Sequence, residues 1–343
     1  MNVVRQLVDT LSYSASADKE VKLSTDGFIT RLDLECSIVG SGAMAGALAA
    51  QGLWRIIQNI KVKGAGGKNY FDMSGVQMGV PLHFLNLLDF PGISWHEIVA
   101  TTQVVSWRIH FGSRPRDILG RDNPFDLSAA IPAMDESDVK LIVTWPATNA
   151  IDDTITISSA TMRVTESKVQ GSPAEIEAVK AGLMVPISTS SAYDPGATKS
   201  GLSGQVFIPT GNFVRRVLIA AQDNTAVGSL GPLFVADQVT ELGIKLVKLN
   251  TWVVDAVRTK QLETQNPKWD GMVVNNVPNT QDPYSVPGFY MLDLRQVGES
   301  RDWGVDARAL GSNDLILGMT IVNYSSTETE QIWYDQFMPY AQR

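Results

Sequence analysis

A two-residue alternation of apolar and polar side chains recurs along this chain and limits the folds open to it. From Thr30 to Ile38, Leu32, Leu34, Cys36 and Ile38 alternate with Arg31, Asp33, Glu35 and Ser37. Val105, Trp107, Ile109 and Phe111 alternate with Ser106, Arg108 and His110. Val139, Leu141, Val143 and Trp145 alternate with Asp138, Lys140, Ile142 and Thr144, Ile142 being the one apolar intruder. Successive side chains of a strand point to opposite faces, so this period marks strands with one packed face and one largely polar face. Antiparallel sheets stacked as a sandwich need that division, whereas strands of a buried parallel sheet read as unbroken apolar runs. The expectation is an all-β protein with two short helical stretches.

The same order of features occurs twice, displaced by about 180 residues, which points to two domains of similar fold. Gly27-Phe28-Ile29-Thr30-Arg31 corresponds to Asn212-Phe213-Val214-Arg215-Arg216, each after a turn-rich stretch, Ser24-Thr25-Asp26 and Pro209-Thr210-Gly211. Ile60 to Lys63 corresponds to Ile244 to Lys248, and Tyr70-Phe71-Asp72 to Trp252-Val253-Val254-Asp255. Trp107 to Phe111 corresponds to Tyr290 to Leu294, and Asp138 to Thr144 to Asp314 to Thr320. The displacement drifts by about nine residues over these pairs, as unequal loops would cause. A chain of 343 residues is long enough for two such domains.

Between the halves, Ser167 to Gly204 is rich in Ser, Gly and Pro. Within it Ser172-Pro173-Ala174-Glu175 has the form of a capping box with proline at the first helical position, so a short helix to about Ala181 is predicted. At the N-terminus Val3, Val4, Leu7, Val8 and Leu11 fall at i, i+1, i+4, i+5 and i+8, a stripe along one face of a short helix. The organisation expected is an N-terminal arm with its helix at 1–19, a first β-domain at 20–166, a helix-bearing linker at 167–199 and a second β-domain with a C-terminal tail at 200–343. Met73 to Thr102, Gly112 to Glu136 and Glu263 to Pro287 exceed ordinary connection lengths, so they are expected to do more than connect.

Composition excludes several function classes. With 44% apolar and 19% charged residues the chain can bury cores. A net charge of −8 with no basic run argues against direct, sequence-specific nucleic-acid binding, which needs Lys and Arg gathered on one face. One cysteine, Cys36, allows no internal disulfide and, without a His cluster, no structural zinc site. Neither a signal peptide nor an apolar run of about 18 residues appears, so synthesis in the cytoplasm as a soluble protein is expected.

Several motifs imitate catalytic or cofactor sites. Gly40-Ser41-Gly42-Ala43-Met44-Ala45-Gly46 follows a strand as a dinucleotide-binding turn would, but its spacing is GxGxxxG, and Gln58 and Asn59 stand where an acidic residue should bind ribose. Gly64-Ala65-Gly66-Gly67-Lys68 resembles a phosphate loop, yet Val62 replaces the first glycine and Asn69 the Ser or Thr after lysine, so a hairpin turn is expected. His83, His96 and His110 all lie in the first half without metal-ligand spacing, which argues against a two-domain metal-dependent cupin. The carboxylate pairs Asp152-Asp153 and Asp33/Glu35 read as loop and polar-face acids rather than a glycosidase pair. No catalytic, cofactor or metal residues are expected.

Tandem β-domains with a helix-bearing linker, long insertions, a short N-terminal helix and no catalytic constellation resemble the double jelly-roll major capsid proteins of the adenovirus and tailless-phage lineage. Asp26 to Leu32 and Ile208 to Arg216 look like the first strands of the two barrels in such phage proteins. The resemblance implies two tandem eight-stranded jelly rolls. It also implies a homotrimer of pseudo-hexagonal outline that tiles an icosahedral virion shell against neighbouring capsomers. Minor capsid or penton proteins and an internal viral membrane are the further partners it implies, and the virion is the location. Val3, Val4, Leu7, Val8 and Leu11 would then contact the inner capsid surface or another subunit, and deleting residues 1–14 should spare the fold while impairing assembly. The alternative is a carbohydrate-binding or carbohydrate-processing β-sandwich, with Trp95, Trp269 and Trp303 as its aromatic platforms.

Overall fold

The computed structural model describes residues 1–41, 56–73, 102–112, 126–150, 155–223, 233–235, 238–259, 288–296 and 303–342. The chain divides into two compact units. The first holds Met1–Ile187 and counts Pro339–Arg343 with it, and the second holds Ser188–Val227 and Gly231–Met338.

In the first unit the strands are β1 (Asn2–Ser12), β2 (Asp18–Lys22), β3 (Phe28–Gly40), β4 (Asn59–Lys63), β5 (Asn69–Met73), β6 (Thr102–His110), β7 (Ile131–Pro132), β8 (Lys140–Thr144) and β9 (Ile157–Gln170). One sheet runs β1-β9-β3-β6, with the short β7 also on β3, and the other runs β2-β8-β4-β5. A single α-helix among the described residues, α1 (Pro173–Lys180), follows. The second unit is built from β10 (Met184–Tyr193), which begins four residues before the boundary, β11 (Lys199–Phe207), β12 (Phe213–Asp223), β13 (Leu233–Phe234), β14 (Val239–Leu246), β15 (Thr251–Arg258), β16 (Phe289–Asp293), β17 (Val305–Asp306), β18 (Leu315–Ile321) and β19 (Glu328–Pro339), whose last residue is counted with the first unit. One sheet begins β10-β19-β12, with β13, β16 and β17 all pairing β12, and the other runs β11-β18-β14-β15.

The two units therefore share one wiring. Replacing β1-β9-β3-β6 by β10-β19-β12-β16 and β2-β8-β4-β5 by β11-β18-β14-β15 maps one onto the other, with β7 and β17 in the same role. Two sheets in which first and last strands pair beside the third, and the second and next-to-last beside the fourth, form the jelly roll. The repeat reaches local detail. Register slips between Ile29 and Arg31 where β3 meets β9, and between Val214 and Arg216 where β12 meets β19. Each of the five sequence correspondences falls on equivalent strands.

Two expectations are overturned. Residues 2–12 form a strand rather than a helix, with Asn2 opposite Gln170 and Ser12 opposite Thr161 on β9. Sheet pairing supplies the partners that a helix of about ten residues lacks in isolation. The segments resembling first strands, Asp26 to Leu32 and Ile208 to Arg216, lie around the starts of β3 and β12, the third strands of their barrels. The first strands are β1 and β10. β10 and most of β11 occupy a stretch whose Ser, Gly and Pro content reads as linker.

Inside the first barrel Leu32, Leu34, Cys36 and Ile38 of β3 are buried with Met162 and Val164 of β9 and Leu141 and Val143 of β8. The second core gathers Val217, Ile219 and Ala221 of β12, Leu315, Leu317, Met319 and Ile321 of β18, and Ile332 and Tyr334 of β19. Each large apolar side chain fully buried contributes about 1.5–3 kcal/mol, which makes these alternating rows the source of stability. Helix α1 starts as expected. The Glu175 carboxylate accepts the Ser172 backbone N–H at 2.8 Å in a capping box, and Ile176 and Val179 pack against Phe28, Ala130 and Leu183.

Candidate functional site

Among the described residues no group of three or more His, Cys, Asp or Glu is placed to hold a metal. The apparent cofactor and catalytic motifs resolve into structure where they can be seen. β3 runs to Gly40 antiparallel to both neighbours, so the glycine stretch does not follow a parallel strand; Gly42 to Gly46 lie outside the described residues. The Gly64–Lys68 segment is a hairpin turn joining β4 and β5. Its interior is filled by the carboxylate of Glu136, which accepts the Ala65 backbone N–H at 2.9 Å, the Lys68 ammonium at 3.2 Å and the Tyr70 hydroxyl. The chain's own anion thus takes the donors a phosphate would need. Because the Glu136 side chain is 2% exposed, Glu136→Ala should remove the buried acceptor shared by Ala65, Lys68 and Tyr70 and cost about 2–3 kcal/mol, readable as a lower denaturation midpoint.

The Asp33/Glu35 pair is neutralised by arginines. Asp33 meets Arg108 at 2.7 Å, Arg5 at 3.1 Å and Arg31 at 3.2 Å, while Glu35 faces Arg163 at 3.6 Å. His110 lies opposite Arg31 in the register of β3 and β6. Burial pushes the Cys36 thiol up, far from reactivity at neutral pH. Asp152-Asp153, His83, His96, Trp95 and Trp269 lie outside the described residues. Trp303, the remaining carbohydrate-platform residue, has its ring 4.9 Å from that of Phe337.

Of the N-terminal apolar residues, Leu11 is buried in its own barrel, Val3, Val4 and Val8 are half-buried, and Leu7 is 52% exposed. They do not share one face. Val4 lies opposite Lys168 and Leu11 opposite Met162, while Val3 and Leu7 sit beside the outward Arg5.

What distinguishes the two units is the outer face of the four-stranded sheet. In the first unit that face is charged and self-paired: Lys140 bridges Glu20 at 3.2 Å and Asp138 at 3.4 Å, Lys22 meets Asp138 at 3.5 Å, and Lys61 meets Asp72 at 3.7 Å. In the second unit the matching face carries large apolar side chains at one end, while Glu241, Thr320 and Arg258 lie at the other. Phe207, Ile316, Lys245 and Trp252 form a row of directly opposed residues across β11, β18, β14 and β15. The Trp252 ring and Leu202 lie over Gly318 and Gly243, where a Cβ would come within 2.7–2.8 Å of them. The Lys245 ammonium is 5.7 Å from the Trp252 ring centre. Phe207 is 53% exposed, and Val247 and Leu249, at the tip of the β14–β15 turn just beyond the row, are 40% and 71% exposed. Sequence reasoning missed this face. The signal was there in Gly243 and Gly318, glycines inside strands, which mark close approach of another group.

Taken together, the repeated strand order and the paired sheets define a double jelly roll. No protein-family model and no curated protein matches the chain. Among solved structures the chain is similar over 100% of its length to 98% of the major capsid protein of Sulfolobus Turreted Icosahedral Virus, at 15% identity and a TM-score of 0.74. It also resembles the major capsid protein P2 of bacteriophage PM2, with 98% and 97% of the chains covered, 14% identity and a TM-score of 0.57. The capsid of the virus PBCV-1 gives 98% and 94% coverage, 11% identity and a TM-score of 0.60. The fold expected from the sequence is the fold of these capsid proteins.

Proposed function

We propose that this protein is the major capsid protein of an icosahedral virus, a structural subunit without catalytic function. The observation that carries the reading is the end-to-end match of both barrels, in tandem, to viral major capsid proteins, covering 98% of that of Sulfolobus Turreted Icosahedral Virus. The apolar row on one barrel and the self-neutralised charged face on the other suit a subunit whose two halves meet different neighbours. The subunit forms a homotrimer of pseudo-hexagonal outline, and the trimers meet neighbouring capsomers, minor or penton proteins and an internal membrane in the virion, after synthesis in the host cytoplasm. Phe207, Val247 and Leu249 are the subunit contacts proposed from geometry; Val3 and Leu7, on the outward side of β1, are those retained from the N-terminal segment.

Replacing Phe207 and Leu249 together by Asp tests this. Exposed positions tolerate substitution within about 0.5 kcal/mol, so the melting temperature should stay within a few degrees of the parent. Sedimentation of the purified full chain should show trimer for the parent and monomer for the double variant. A parent that is monomeric across micromolar concentrations, or a double variant that trimerises as well as the parent, defeats the assignment of this face.

A further inference from the structure

The second barrel carries acid where the first carries hydrocarbon. The register gives the equivalence. In the first unit Cys36 lies opposite Met162 and Ile38 opposite Ala160, all four buried. In the second, the same places are taken by Ala221 opposite Glu330 and Asp223 opposite Glu328. Glu330 is 0% exposed, shares the inward face of β19 with Ile332 and Tyr334, and among the described residues neither of its carboxyl oxygens has a hydrogen-bond partner.

An ionised carboxylate without donors in such a place is very costly, so the group must be neutralised. The described groups facing it do not neutralise it by charge. Glu328, two residues away on the same face, raises its proton affinity further, and Tyr193 on β10 is the other titratable group close enough to interact. On β12 the residue opposite is Ala221, and beyond it Asp223 accepts from Thr327 at 2.8 Å. Glu328 is already engaged, accepting from Gln238 at 2.7 Å and from the Ser325 backbone N–H at 2.6 Å. Both donors meet the same oxygen of Glu328, Oε2. Burial, then Glu328, pushes the Glu330 carboxyl up to about 8.

We propose that Glu330 is a buried proton-binding site, packed as the neutral acid, whose ionisation loosens the end of the second barrel where β12 finishes and β19 begins. Its effect has a definite sign. The folded state holds the proton that the unfolded chain releases near the ordinary carboxylate pKa of about 4.3, so stability falls as pH rises from there toward 8 and levels off above. The shell subunit would thus tighten on acidification and relax in alkali.

The test compares the full-length parent with Glu330→Gln and with Glu330→Met, the latter restoring the residue type of the first barrel. Across pH 5 to 8 the parent's unfolding constant should rise by about tenfold per pH unit relative to either variant, the signature of one proton. Infrared difference spectra of parent against Glu330→Gln at pH 6 should show one protonated-carboxyl C=O band, which disappears at pH 10. Parallel pH profiles in parent and both variants, or the lack of that band, overturns the proposal. Stabilisation of the parent by millimolar calcium or magnesium at neutral pH, lost in Glu330→Gln, also overturns it and makes a cation the occupant.

Discussion

Deleting residues 1–14 is expected to destabilise the first barrel severely, by on the order of 5 kcal/mol, and not to leave the fold intact. The segment is β1, the first strand of the jelly roll, and it pairs with β9 from Asn2–Gln170 to Ser12–Thr161. Each ladder hydrogen bond is worth a net ~0.5–1.5 kcal/mol, and burying Leu11 adds ~1.5–3 kcal/mol. Gln6 also donates at 2.7 Å to Glu166, a carboxylate fully buried under this strand. Without β1 the stretch of β9 from Thr161 to Gln170 becomes an open edge, which invites pairing with other chains. For a unit of this size the loss corresponds to a melting temperature lower by roughly 10–20 °C, with aggregation on heating. Differential scanning calorimetry of the truncated and full chains decides it. A truncated protein that melts within a few degrees of the parent would show that the ladder is expendable.

The reason this strand reads as a helix is physical. Gln6 lies opposite Glu166 on the face of Leu32, and Leu11 lies opposite Met162 on the face of Cys36. Those two inward positions are five residues apart, which a regular strand cannot satisfy. The register slips between Leu7 and Asp9, and the extra residue moves the inward set from even to odd positions. Val4 and Leu11 end up seven apart, two helical turns, so a bulged strand imitates a helical stripe. β10 escaped for a different cause. After Ile187 it is Ser188-Thr189-Ser190-Ser191, with few apolar residues to show a period, although Ser191 bonds the Tyr334 hydroxyl at 3.1 Å. The strands that were legible, β3, β6 and β8, alternate without a break in phase over the residues that carry the pattern. The Glu330 site could not be read at all, since Glu328, Glu330 and the inward Gln336 look like the polar side of an alternating strand. Only the register shows that they face the core.

Trp145→Ala should cost about 3–5 kcal/mol, the range for emptying the site of a large buried aromatic. Trp145 follows β8, is 0% exposed, and meets the Tyr13 ring edge-on with centroids 5.5 Å apart. The pair closes the corner between β1 and β2. The Tyr13 hydroxyl donates to the Pro146 carbonyl at 3.0 Å, and the Trp145 backbone N–H donates to the Ala17 carbonyl at 3.0 Å. Alanine keeps the backbone bond but removes the surface that Tyr13 packs on, so both strands lose their anchor. The indole N–H of Trp145 is buried and has no hydrogen-bond partner among the described residues, a burden of ~1–3 kcal/mol that the native packing outweighs. Trp145→Phe sheds that burden while keeping a ring against Tyr13. It should therefore lose less than half of what the alanine variant loses, despite the smaller volume. Guanidinium midpoints for the two variants measure the difference. Equal losses in both would mean that the indole N–H has a partner, and that the corner depends on it as well as on packing.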